Sequence, residues 1–223
     1  MSRPLVIAVG GFASDVGKTT LMCQLLQALP GWEAIKTTRG HYRSCGKDPH
    51  ACCVSHLLSD EPLILSGRER TYQFGKDTGR YWDAGASNVH WMVCTDAQVE
   101  KGINQTLDLV HSEGVLIEGN SFTQFVEVDF FVMLVRGNDF KIKSSARKAL
   151  ERVSAFYLSD DADPNVFKDR LNRLGLAKSI TALVYTPATF PQLIAEVHLI
   201  HTRLQPGGRE ALESKNVSTV SLR

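Results

Sequence analysis

The residues best suited to chemistry lie near the start of the chain, in GGFASDVGKTTL at positions 10–21. Inward-turned backbone N–H groups, a lysine and a hydroxyl are what a polyphosphate needs. Gly17 allows close backbone approach, Lys18 reaches the β and γ phosphates, Thr19 holds Mg²⁺, and Thr20 reaches the α phosphate. Gly11, Ser14, Asp15 and Val16 complete the loop. The usual pattern is glycine, four residues, then Gly-Lys-Ser/Thr. Counting back from Gly17 puts Phe12 in the first glycine's place, with Gly11 one residue earlier. The bland alternative is a tight turn holding a chance Gly-Lys-Thr. A predicted strand before it and a predicted helix after it favour a phosphate loop, with Mg²⁺ and GTP or ATP as cofactors.

Glu118 follows Val115-Leu116-Ile117 and precedes Gly119. A carboxylate at the tip of a buried parallel strand lies where open α/β sheets bind ligands. There it coordinates Mg²⁺ or orients an attacking water, with Lys18 as its catalytic counterpart. The alternative is a salt-bridged loop glutamate. Lys76, Asp77 and Arg80 surround a helix start. Asp77 suits a cap or a place near the metal, while Lys76 and Arg80 suit an anionic substrate. On charge pattern alone a solvated helix face is the plainer reading.

HYRSCGKDPHACCVSH, at 41–56, gathers Cys45, Cys52, Cys53, His41, His50 and His56. Zn²⁺ takes four such ligands, which Cys45, Cys52 or Cys53, and one or two histidines, His50 among them, could supply. An iron–sulfur cluster falls short of four thiolates. Reduced thiols in a substrate loop, or a redox role, stay open beside the metal. Lys36, Arg39, Arg43, Lys47, Arg68 and Arg70 surround this segment and suit a small anionic substrate, or plain solvation. The base-reading loops are expected at 136–139, 159–161 and 186–187. Asp160 or Asp161 suits a guanine N–H edge, but no Asn-Lys-x-Asp motif is present, so ATP and GTP stay open.

Elements must bring these residues together. Continuous apolar runs predict buried strands over 5–9, 32–37, 89–95, 114–118, 129–135, 155–158 and 181–185. Apolar residues at helical spacing predict helices over 18–29, 76–86, 96–111, 144–153, 166–174 and 190–204. Residues 38–74 read as a long polar connection, and 217–222 as an edge strand. The alternation predicts an α/β fold: a three-layer P-loop NTPase with a mostly parallel sheet flanked by helices. One domain is expected over 1–223, with a Cys/His-rich insert at about 39–74. The chain of 223 residues is 43% hydrophobic and 22% charged, an ordinary globular balance, and its net charge of +1 selects neither nucleic acid nor membrane. No run approaches the ~18 apolar residues of a membrane span, and a cytoplasmic protein is expected.

The loop GGFASDVGKT resembles those of the dethiobiotin synthetase and molybdopterin-guanine dinucleotide biosynthesis families, where the glycine often lies five residues before Gly-Lys-Thr. Asp15-Val16 is similar to the acidic residue and valine of the synthetase loop. ParA-type ATPases carry an extra lysine where this chain has Ala13. GKDTGRYWDAGASNVHWMV, at 75–93, resembles the "GKDS-x-R-…-AGA" segment of the adapter family MobB. Lys36 resembles that family's Ile-Lys-His, with Thr37 replacing the histidine, and LIEGN at 116–120 resembles its strand ending in Glu-Gly. The matches span roughly the first 120 residues, in order.

The MobB resemblance implies a Mg²⁺–nucleotide-binding protein of molybdenum cofactor assembly with weak hydrolysis. Its partners would be a nucleotidyltransferase, a small anionic substrate at Lys36, Lys76, Asp77 and Arg80, and a second copy of the chain in a homodimer. Two rivals share the loop. One is an ATP-dependent small-molecule kinase or dethiobiotin-synthetase-like ligase, with Lys36 on the substrate's carboxylate or phosphate. The other is a metal-handling NTPase with the cysteine insert as cargo site.

Overall fold

A computed structural model describes residues 3–40, 54–137, 140–176 and 182–204. Cys45, Cys52, Cys53, His41, His50 and the strand expected at 217–222 lie outside the described residues. The centre of the sheet is β1 (Leu5–Gly11), whose seven residues are all buried. Its neighbours are β5 (Gly114–Glu118) and β6 (Phe130–Val135), both parallel to it and wholly buried. β2 (Glu33–Arg39) and β4 (Val89–Cys94) extend one side, and β7 (Ala155–Leu158) and β8 (Leu183–Tyr185) the other. The order is β3-β4-β2-β5-β1-β6-β7-β8, and only the edge strand β3 (Leu63–Ser66) runs antiparallel.

Both faces are covered, which is why the central strands are apolar without alternation. On one face Ile7, Val9 and Leu116 pack with α1 (Lys18–Ala28), α3 (Asp77–Asp83) and α7 (Phe190–Leu204). On the other, Val6, Ala8 and Ile117 pack with α4 (Val99–Leu107), α5 (Ser144–Ala149) and α6 (Pro164–Arg173). A short helix, α2 (Arg68–Thr71), joins β3 to the α3 segment. The result is a three-layer α/β fold.

Three local differences from the sequence reading have physical reasons. β3 and α2 arise inside the connection read as polar, because four residues pair with β4 and their own sequence is too short to announce it. The helix expected over 96–111 divides: Thr95 and Gln98 form a capping box around a 3-10 turn, and α4 follows. α6 begins earlier than expected, because Pro164 occupies its first turn and the Asp163 side chain accepts from the Asn165 N–H at 2.7 Å.

Candidate functional site

The loop begins where β1 ends. Phe12 continues the strand's alternation, 6–8–10–12, so its ring enters the core face of α5 and α6 rather than the loop. It is fully buried and meets Phe140 at 5.9 Å and Phe156 at 6.0 Å, both edge-on, and Phe167 at 6.5 Å. Its backbone is tied on both sides: its N–H donates to Leu134 O at 3.0 Å, and Lys143 N–H donates to its carbonyl at 2.9 Å. Gly11 is packed from inside the loop. A Cβ there would lie 2.7 Å from Val16 Cγ2 and 3.1 Å from Lys18 Cδ. The turn itself needs left-handed backbone at Asp15 (φ 55°) and Gly17 (φ 97°), and Gly17 caps α1. Asn120 clamps the loop to β5. Its Oδ1 accepts from Gly11 N–H and its Nδ2 donates to Gly11 O, both at 2.9 Å.

Four segments far apart in sequence converge beside this loop. Lys36 Nζ of β2 lies 2.7 Å from Glu118 Oε1 and 2.6 Å from Asp77 Oδ2. Register explains the first contact, because Lys36 and Glu118 are opposed partners in the β2–β5 ladder. Thr19 Oγ1 donates to Glu118 Oε2 at 3.1 Å, and the fully buried Tyr81 hydroxyl donates to the same oxygen. Thr37 Oγ1 donates to the Glu118 carbonyl at 2.6 Å. Burial alone would push Lys36 down, but Glu118 and Asp77 override it and raise it. Burial likewise works to raise Asp77, and Lys36 overrides it and holds the carboxyl low. Burial, with Glu118 adding to it, pushes the Tyr81 hydroxyl well above its ordinary value, so it stays a proton donor.

Lys18 folds along the loop, with Nζ 3.4 Å from Ala13 O, and burial lowers its pKa against the pull of Glu118. Arg80 Nη2 donates to Thr20 Oγ1 at 3.4 Å, tying α3 to α1. Ser14, Asp15, Thr20 and Arg80 line one cleft of about 680 Å³ together with Lys18, Thr19, Lys36, Asp77 and Glu118. Val16 is buried beneath the loop, and Lys76 is exposed just before α3, outside the cleft wall.

Thr19, Asp77 and Glu118 supply the hard oxygen donors that Mg²⁺ takes, and they sit at the loop's hydroxyl, so the residues fit that ion. Among the described residues no group of three or more His, Cys, Asp or Glu is placed to hold a metal. Cys45, Cys52, Cys53 and His50, expected to bind Zn or Fe, fall outside them. Asp160 Oδ1 accepts from Gly137 N–H at 3.0 Å, and Arg170 donates to Gly137 O at 2.7 Å, so this acidic residue shapes the loop after β6. Asp161 is exposed.

Motif reading missed Tyr81, Asn120 and Lys143, and gave Arg136 to a base-reading loop whereas it lines the cleft. Tyr81 stands four residues after Asp77, the spacing that puts two side chains on one helix face, so a signal for it existed. Asn120 was also legible, as a polar residue just past a buried strand tip. Arg136, from the loop expected at 136–139, and Lys143, from a segment with no motif, line the cleft from the far side of β1. Burial pushes Lys143 down, and Lys18 and then Arg39 push it further.

No family model matches this chain, and no curated protein matches it. Among solved structures it is similar to HypB from Helicobacter pylori in complex with nickel, at 13% identity and TM-score 0.50, over 94% of this chain and 89% of that one. The chain has the P-loop NTPase fold. LpxK from Aquifex aeolicus in complex with ATP matches at 21% identity and TM-score 0.43, over 70% of this chain and 48% of its own, so this chain spans about half of LpxK. The Zn(II)-bound YjiA GTPase from E. coli matches at 15% identity and TM-score 0.43, over 83% of this chain and 58% of that one. No described helix is long and apolar enough to cross a membrane.

Proposed function

We propose that this chain is a P-loop NTPase of the MobB-like adapter kind, which binds Mg²⁺–nucleotide and hydrolyses it slowly in molybdopterin-guanine dinucleotide assembly. The observation that carries the reading is the meeting at Lys36. Its ammonium joins Asp77 of the Gly-Lys-Asp segment at 2.6 Å to Glu118 of the Glu-Gly segment at 2.7 Å, and Glu118 in turn holds Thr19 of the loop. The segments that carry the family resemblance therefore form one site.

Within it the residues have separable tasks. The N–H groups around residues 13–19 and the start of α1 receive the phosphates. Lys18 spans the β and γ phosphates. Thr19, Glu118 and Asp77 would hold Mg²⁺, which would supply charge neutralisation for the phosphates. Lys36 holds both carboxylates in place and keeps the Asp77 carboxyl low. Glu118, fixed by Tyr81, orients the water that attacks the γ phosphorus while the nucleoside diphosphate leaves. A nucleotidyltransferase and a second copy of this chain are the partners this reading implies.

A second reading, a small-molecule kinase or ligase, draws support from the cations of the far wall. Arg136 and Lys143 are more positive charge than one Mg²⁺–triphosphate needs. Titration of ATP and of GTP with Mg²⁺ against wild type and Lys18→Ala separates the two. GTP preference abolished in the variant supports the adapter. ATP preference moves the assignment to the kinase or ligase, and binding of neither nucleotide by folded protein overturns the site.

A further inference from the structure

The large cleft does not stop at the phosphate loop. A second cavity of about 200 Å³ opens beside it between α4 and α5, and Arg39, Ser121 and Ser145 line both. Its own wall adds Lys148, Gln124 and Phe125. Charge there is lopsided. Arg39 is paired, through Nη1 to Asp96 Oδ1 at 2.6 Å, and Asp96 is the one carboxylate in the second cavity's wall. Among the described residues Lys143 and Lys148 make no ion pair, and Lys143 is half-buried in the wall of the larger cleft, which Lys18, Lys36, Arg39 and Glu118 also line. A half-buried ammonium facing other cations is unfavourable unless an anion joins it.

Ser145 adds a hydroxyl at the junction. The residue is 8% exposed and lines both cavities, and its hydroxyl, which makes no hydrogen bond among the described residues, opens into them and is free to donate to a ligand. Ser145 and Lys148 are three residues apart on α5 and so share a face. Phe125, 40% exposed, gives the same wall an apolar patch.

We propose that this second cavity binds a small organic anion, a phosphate monoester or carboxylate with an apolar body, held by Lys148 from the second cavity's wall, by Ser145 and the free edge of the Arg39 guanidinium where the two cavities meet, and by Lys143 reaching in from the larger cleft. The proposal rests on the nucleotide reading only for what fills the larger cleft. It moves the anionic co-substrate from the Lys76–Arg80 segment to the opposite side of the loop.

The test is calorimetric titration of phenyl phosphate into the full chain, saturated with Mg²⁺ and a non-hydrolysable nucleotide analogue, at ionic strength held constant with NaCl. One saturable site is expected. Lys148→Glu, at an exposed position, should weaken it about tenfold or more, with the analogue's affinity changed less than about twofold. Lys143→Met should weaken it too. Absence of saturable binding in wild type overturns the proposal. So does equal loss of phenyl phosphate and analogue in Lys148→Glu, since the two cavities are then one nucleotide subsite. If the analogue itself does not bind, the nucleotide reading fails separately, and the titration is repeated on Lys18→Ala. Saturable binding that Lys148→Glu then removes upholds the second site. Binding that is absent, or that survives Lys148→Glu, refutes it.

Discussion

Lys36 is the residue on which the site turns, because two carboxylates depend on one ammonium. Its side chain is 17% exposed and that of Glu118 is 4% exposed. Removing one member of a buried ionic cluster costs about 3 kcal/mol or more, since the remaining charges are left unpaired. Lys36→Met should therefore lower unfolding stability by about that amount in urea titrations. Mg²⁺ should restore more stability to the variant than it adds to wild type, because it replaces the lost cation between Asp77 and Glu118. Equal Mg²⁺ effects on both proteins would place the ion elsewhere. Glu118→Gln keeps the shape but loses the charge. Nucleotide affinity should change little, while phosphate release should fall on the order of 100-fold. Unchanged turnover would remove Glu118 from the mechanism.

At the scale of elements, the β1–α1 connection combines a strand end, a turn and a helix start. Phe12 belongs to the strand end. Phe12→Gly would restore the usual glycine spacing, yet should cost about 3 kcal/mol or more by emptying an aromatic cluster, with no gain in nucleotide affinity. A lowered urea midpoint with unimproved nucleotide binding is the expected pair of results. Asn120→Ala should strand the Gly11 N–H and carbonyl, costing about 1–3 kcal/mol, and weaken nucleotide binding in parallel. These elements were largely legible in sequence. LVIAVGG is apolar throughout, and Leu21, Met22, Leu25 and Leu26 recur at helical spacing, so strand and helix follow from local composition. β3 was not legible, because its four residues owe their conformation to β4 and not to each other.

The whole molecule adds a second buried charge cluster at the other end of the sheet, away from the loop. Glu33, at the start of β2, accepts from the His111 and Ser112 N–H groups at 2.8 Å each and lies 2.7 Å from His90 Nε2. It ties β2 to β4 and to the turn before β5. Burial works to raise its pKa, but the His90 bond and the two N–H groups override this and hold it at about 2, below the ordinary 4.5. A carboxylate depressed in the folded state stabilises above its unfolded pKa, and that stability is lost as pH falls toward the folded value. Thermal stability should thus decline between about pH 4.5 and pH 2. Glu33→Gln should flatten that window while sitting lower at neutral pH. The same acid slope in both proteins would assign the loss to other groups.

The phosphate loop, the central strands, the flanking helices and the carboxylate at the tip of β5 were determined by sequence alone. Each depends on neighbours within about ten residues, where periodicity and turn chemistry act directly. Partnerships were decided by tertiary structure. Lys36 meets Glu118 because packing on both faces of the sheet sets the β2–β5 register, and meets Asp77 because α3 docks over β2. Phe12 is a core residue because the sheet's second face is covered by α5 and α6. Arg39 and Ser145 line both cavities, with Lys143 in one and Lys148 in the other, only because β2 and the segment leading into α5 end on the same side of the loop. Such contacts join residues far apart in the chain, and no local pattern encodes them, since the free energy that selects them comes from burying the whole sheet at once.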